Sequence, residues 1–297
     1  MKTLSICTIA LIGLLILRTV AATAADQTDP APAPLKDEFS KQENIYRSQG
    51  DAVPEGYTVD RTLALYSDAL HPEFSRSLAA MGPQERWLDI GAGSGRAVLD
   101  YLAPDYEPPR PYGTPAVGGK AQVVAISIED RRTPLWQSTA ARLPDRQLKY
   151  LTGKRLRDYT LAELGRFRII TDVIGGFSYS ADLSLFMQKA LDFLDLNGSF
   201  YTVLQDVHSE SVGNAPYYKD APYLTEIRNA DGSEVKVCSW LKSISCVEVS
   251  CEFKTGWKPP IETFHIRKIC DEVKVPALIP VHFQAGTPPE RRFLLAR

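Results

Sequence analysis

The sequence has no C-x-x-C pair and no cluster of histidine with cysteine, so the ligand spacing that zinc requires is missing and no metal site is expected. It has no basic surplus either. Lysine and arginine number 34 against 36 aspartates and glutamates, and a net charge of −2 offers no broad surface for a phosphate backbone, so nucleic acid is not an expected partner. The apolar run near the start, Leu4 to Leu17, stops short of the roughly 20 residues that a spanning helix needs. One glycine is also missing. After Gly91, Gly93 and Gly95 the chain continues with Arg96, where the dinucleotide pattern G-x-G-x-x-G has its last glycine, which argues against a nicotinamide cofactor.

What is present has the balance of a globular protein: 297 residues, 44% hydrophobic and 24% charged, enough for one main domain with appendages. Lys2 before the apolar run, and Ala22-Thr23-Ala24 after it, form a secretory signal peptide over residues 1–24. The protein is therefore expected to be secreted or periplasmic. Arg18 between the run and the cleavage site leaves a membrane-anchored form, with the segment uncleaved, as the alternative. Residues 25–35, with DPAPAP at Asp29 to Pro34, form a proline-alanine linker, and residues 36–84 are helical in character. Cleavage would leave Cys238, Cys246, Cys251 and Cys270, which permit two disulfides in three connectivities or remain as buried thiols. If Cys246 to Phe253 is one strand, Cys246 and Cys251 face opposite sides and do not pair.

The most informative stretch is WLDIGAGSGRAVLDY, Trp87 to Tyr101. An apolar strand enters a glycine-rich turn with Asp89 at the strand's end, and a helix follows, which reads as a nucleoside-cofactor site formed around Asp89, Gly91, Ala92, Gly93, Ser94 and Gly95. With its acid before the first glycine, the stretch resembles the first motif of the class I, Rossmann-like S-adenosylmethionine-dependent methyltransferases. The resemblance runs in order from about Glu85 to Leu204 and more faintly to Ile269.

Other segments fit the same pattern. Val123 to Ile128 has the continuous β-branched character of a buried parallel strand and ends at Glu129-Asp130. The resemblance implies that an acid here accepts hydrogen bonds from the cofactor's ribose hydroxyls; the family often places it where this sequence has Ser127, so Glu129, or Asp130 in its stead, takes the role. After the next strand, Gln147 to Leu151, the family often has an acid near the adenine amino group, and here Gly153-Lys154-Arg155 stand in its place, with Asp158 the nearest acid. A fourth strand, Arg168 to Val173, carries Asp172 into Gly175-Gly176 and Tyr179, near where the methyl acceptor is implied. The place of the fourth motif lacks the Asp/Asn-Pro-Pro-aromatic form of enzymes that methylate flipped bases. Ser180 to Leu196 reads as an amphipathic helix capped by Asn197-Gly198, Gln205 to Asp231 as polar and irregular, and Val247 to Phe253 with Ile261 to Ile269 as a hairpin. His208 is the side chain suited to act as a general base, although no catalytic residue is assigned.

Together these imply a three-layer α/β sandwich with a seven-stranded, mainly parallel sheet and an antiparallel C-terminal hairpin. The methyltransferase-like domain spans 85–270 and a C-terminal extension spans 271–297. The implied cofactor is S-adenosyl-L-methionine, with Asp89, Gly91, Ala92, Gly93, Ser94, Gly95, Glu129 and Asp172 as its binding residues and a small molecule as the methyl acceptor. The rival is an exported, non-catalytic binding protein that retains the fold.

Overall fold

The computed structural model describes residues 60–103, 106, 118–205, 225–257, 260–286 and 289–296, with the isolated positions 37, 40 and 41. The expectations at 1–35 and at His208 lie outside these residues, as does most of 103–120, a proline-rich stretch with five prolines that separates the stretch from Trp87 to Tyr101 from the strand at Val123 to Ile128.

Helices α1 (Leu63–Ala69) and α2 (Glu73–Ala79) lead into β1 (Arg86–Ile90), α3 (Arg96–Leu102), β2 (Gln122–Ser127), α4 (Pro134–Ala140) and β3 (Leu148–Thr152). A 3-10 turn at Leu156–Asp158 is followed by α5 (Leu161–Leu164), β4 (Phe167–Asp172), α6 (Gly176–Tyr179), α7 (Leu183–Asp192) and β5 (Leu194–Leu204). The remainder is mainly strand: β6 (Thr225–Arg228), β7 (Glu234–Val235), helix α8 (Val237–Lys242), β8 (Val247–Lys254), β9 (Ile261–Lys268), β10 (Leu278–Gln284) and β11 (Glu290–Leu295).

Seven strands form one sheet in the order β3-β2-β1-β4-β5-β9-β8, the fold class the sequence implies. The first five run parallel, as strands joined by crossover helices must, and β9 and β8 are the antiparallel hairpin. Apolar clusters cover both faces. Leu88 and Ile90 pack on one side with Phe177, Phe186 and Met187, whereas Trp87 packs on the other with Tyr66, Phe74 and Leu99. Because side chains alternate along a strand, Asp89 shares the face of Trp87 and points toward α1.

Two expectations need correction. The helix read from Ser180 to Leu196 ends at Asp192, because Phe167 donates its N–H to the Phe193 carbonyl at 2.8 Å and draws the chain into the sheet early. Leu194 therefore belongs to β5, and Asn197, with φ +61°, lies within that strand near its shift of register against β4. The stretch read as irregular contains β6, which enters a second, four-stranded sheet in the order β10-β11-β6-β7. β11 runs parallel to β6 and antiparallel to β10. Arg291 of β11, wholly buried, joins this sheet to α6: its Nη1 donates to the carbonyls of Phe177 and Ser180, both at 2.9 Å, and its Nε and Nη2 to Thr225 Oγ1 at 3.2 and 2.5 Å.

The four late cysteines form two disulfides, Cys238–Cys251 and Cys246–Cys270. Cys246 and Cys251 are not joined, as expected, although Cys246 is not part of the strand: it precedes β8 with a left-handed φ of +63°. Both bridges tie the hairpin, one to α8 and one across its open end, and the loops they close span 13 and 24 positions. A peptide map without reduction should return these two pairs, and Cys238→Ser/Cys251→Ser should lower unfolding stability by about 3 kcal/mol. A map joining Cys246 to Cys251 contradicts the hairpin.

Candidate functional site

The site grows from the turns after β1 and β4, which emerge side by side because those strands are neighbours in the sheet. Gly91 and Gly93 have φ of +67° and +58°, which glycine adopts without a Cβ penalty. Ala92 donates its N–H to the Ile126 carbonyl at 3.0 Å and so pins the turn to β2. A Cβ on Gly91 would lie 3.0 Å from Gly175 Cα, so the two turns meet backbone to backbone.

Three side chains grip the turn's carbonyls. The Tyr150 hydroxyl donates to Gly93 O, Trp136 Nε1 donates to Gly95 O at 2.9 Å, and the Arg61 guanidinium donates to Gly91 O. Arg61 also reaches the Ile174 carbonyl at 3.5 Å, spanning both turns. Ile174 itself has φ +51°, a left-handed backbone that costs a β-branched residue about 1–2 kcal/mol. The strain falls on the wall of the cleft.

That cleft opens at the carboxyl edge of the parallel strands. Gly91, Gly93 and Glu129 line it together, with Gly175, Tyr179 and Asp182 from the far side and Ile90, Ile126 and Leu185 as apolar wall. The other residues singled out from the sequence stand behind this surface. Ala92 is buried in the apolar cluster of the α1 face, Ser94 donates to Asp60 Oδ1 at 3.1 Å, and Gly95 caps α3. Asp89 is wholly buried: Thr171 Oγ1 donates to it at 2.8 Å and the Tyr66 hydroxyl at 3.1 and 3.2 Å. Asp172 is equally buried and accepts from the backbone N–H groups of Gly175 and Phe177 at 3.1 and 3.2 Å, which shapes the β4 turn from within.

Burial raises both acids. Loss of water pushes Asp89 up to about 7 against the opposing effects of Thr171, Arg61 and Tyr66. Asp172 is likewise raised to about 7 by burial, against its two backbone hydrogen bonds and Arg61. Of the two acids after β2, Glu129 lines the cleft and receives Arg131 Nη2 at 2.5 Å. Asp130 turns instead to Arg132, which holds it at 2.8 and 2.7 Å and keeps it below the usual carboxylate range. Asp158 caps the 3-10 turn through the Arg155 N–H at 3.1 Å, while Lys154, Arg155 and Arg157 line the cleft around it.

Arg61, Trp136 and Tyr150 were not singled out from the sequence as site residues. An aromatic donor in a helix or strand looks like core, and an arginine that binds main-chain carbonyls leaves no motif.

No family model matches the sequence, and no curated protein matches it. Solved structures do. The cofactor-bound protein Rv0187 from MTB shares 13% identity over 82% of this chain and 94% of its own, with a TM-score of 0.44. The N-methyltransferase NodS from Bradyrhizobium japonicum WM9, in complex with S-adenosyl-l-homocysteine, shares 13% identity over 76% and 98%, with a TM-score of 0.42. A geranyl diphosphate methyltransferase in complex with GPP and sinefungin shares 18% identity over 44% of this chain, which spans 43% of that protein's length, with a TM-score of 0.34. At these values the likeness carries no functional weight.

Proposed function

We propose that the protein is an S-adenosylmethionine-dependent methyltransferase acting on a small molecule. One observation carries this: Gly91 and Gly93, at the end of β1, and Glu129, beyond the end of β2, line one cleft although the proline-rich stretch separates them in sequence. The residues suit the cofactor. The glycine turn lets main chain approach the ligand, and the Glu129 carboxylate provides acceptors for a pair of ribose hydroxyls. S-adenosylmethionine would supply a methyl group already made electrophilic by its sulfonium. The protein's part is then to orient the acceptor and exclude water, for which the wall at Gly175, Tyr179 and Asp182 is placed, and no fixed catalytic triad is needed.

Titration calorimetry with S-adenosylmethionine tests the reading. The parent should bind, and Glu129→Ala should weaken binding by about 1.5–3 kcal/mol while staying folded. Equal binding by both chains, or none by the parent, would remove the assignment.

A second reading is an exported binding protein without catalysis, and the two disulfides favour the export it requires. S-adenosylmethionine is made in the cytoplasm, so a chain matured in an oxidising compartment has no local supply. Retention of the cofactor without transfer of its labelled methyl group to any offered acceptor would select this reading. The N-terminal segment on which secretion or anchoring depends lies outside the described residues, among which no helix is long and apolar enough to cross a membrane.

A further inference from the structure

The start of β5 departs from the sheet it belongs to. Between the pairs Phe167–Leu194 and Ile169–Ser199, β4 advances by two residues while β5 advances by five, so residues 195–198 leave the sheet as a loop. Its base is fixed. Gly198 is buried, and a Cβ there would lie 2.9 Å from the Asp195 carbonyl oxygen and 3.0 Å from that of Arg168, so a side chain does not fit. From β4 the Arg168 guanidinium donates to the Asn197 carbonyl. Leu196 and Asn197, by contrast, are exposed, and Asn197 has φ +61°, a left-handed conformation that asparagine adopts more readily than most residues. Its side-chain amide makes no hydrogen bond among the described residues.

Asn197-Gly198-Ser199 is also the pattern Asn-x-Ser, with a middle residue other than proline, whose asparagine accepts an N-linked oligosaccharide in exported proteins. The chain has four asparagines, Asn44, Asn197, Asn214 and Asn229, and Asn197 alone stands two positions before a serine or threonine. The two disulfides favour the oxidising compartment in which this modification is made. Position suits it as well. Asn197 lies toward the amino end of β5, whereas the cleft opens at the carboxyl edge of the parallel strands, and the steps from Ser199 to Leu204 alone cover about 17 Å. In the folded chain Ser199 Oγ lies 3.0 Å from His265 Nε2, so its hydroxyl is free only before β9 pairs with β5. His265 is made 66 residues later, and the pattern therefore emerges with its hydroxyl still unengaged.

We infer that Asn197 is the attachment site of an N-linked oligosaccharide, added to the growing chain as it enters an oxidising compartment. The donor is an oligosaccharide joined to a membrane-held polyprenyl diphosphate. Asn197 Nδ2 bonds to the anomeric carbon of the first sugar and gives up one proton, while the bond from that carbon to the diphosphate oxygen breaks and its electron pair leaves with the diphosphate. The attached sugar covers the exposed Leu196 and leaves the cleft open. Attachment rests on the export that the second functional reading requires, and on nothing about methyl transfer. The full chain, purified from the cells that make it, is mapped by mass spectrometry without reduction, and fragmentation should place a sugar mass on Asn197. Asn197→Asp, which suits the same left-handed backbone, should abolish that mass, as should Ser199→Ala with Asn197 still in place, whereas Ser199→Thr should retain it. A disulfide-bonded chain whose Asn197 is unmodified, or only deamidated, overturns the inference alone. So does sugar that persists in Ser199→Ala, because its attachment would not read the hydroxyl. Reduced Cys238, Cys246, Cys251 and Cys270 in the native chain overturn the export reading, and the inference with it.

Discussion

Urea denaturation should show the protein losing stability as the pH rises from 5 to 8, through the charging of Asp89 and Asp172. Both carboxyls are raised by burial to about 7 in the folded chain, whereas in the unfolded chain they return to about 3.9. Between those values the folded state holds more protons than the unfolded one. The contribution is therefore complete below pH 4, declines as the pH climbs through 7, and is gone above it. For either acid alone the loss between pH 5 and pH 8 is about 3 kcal/mol. Their charges also oppose each other, since ionised Asp89 raises Asp172 further. Asp89→Asn keeps an acceptor for Thr171 and a partner for Tyr66, so that variant should show about half of the parent's decline. A parent whose stability is flat or rising over this range would mean that Arg61 keeps both acids ionised.

Arg291→Met should be the most damaging single substitution in the second sheet. The side chain is wholly buried, and its loss removes the donors to Phe177 O and Thr225 Oγ1, both buried, and to the part-buried Ser180 O. Hydrogen bonds from a charged donor contribute about 1.5–3 kcal/mol each, so with two main-chain carbonyls deprived the expected cost is about 3–5 kcal/mol. Arg291→Lys should recover only part of it, because an ammonium cannot span three acceptors as a planar fork does. Hydrogen exchange should quicken at 176–182 in both variants, since α6 then loses its tie to β11. A loss below about 1 kcal/mol, with exchange unchanged, would show that the apolar contacts alone seat the second sheet.

What was legible in the sequence was local or periodic. Trp87 to Tyr101 announced a strand, a left-handed glycine turn and a helix within 15 residues, and all three are present. The β-branched run before Glu129 likewise marked a buried strand whose end meets the cleft. The burial of Asp89 follows from the same alternation, because it shares a face with Trp87, but its partners Tyr66 and Thr171 lie 23 and 82 positions away. Arg61 and Arg291 were harder still. Arg61 binds main-chain carbonyls 30 and 113 positions off, and Arg291 others at 111 and 114, and a carbonyl has no residue identity for a pattern to reveal. The second sheet was hidden for a related reason. Thr225 to Arg228 is too short to declare itself, and its partner in β11 is made more than 60 residues later.

That partner's position has a consequence for the order in which the protein can mature. β11 lies between β10 and β6 rather than at an edge, so the strand synthesised after the other three is the one that joins them. Until Glu290 to Leu295 has left the ribosome, β6 and β7 have no sheet to enter, and α6 lacks the arginine that fixes it. The glycine turn and its strands, made more than a hundred residues earlier, can assemble first. The glycine-turn side of the cleft is thus ready early, while the side formed by α6 waits for β11. A chain interrupted between Cys270 and Glu290 should keep the glycine turn with the strands beside it and lose the tie that fixes α6. In an exported protein that order would leave the finished cleft to form only after the chain had crossed the membrane.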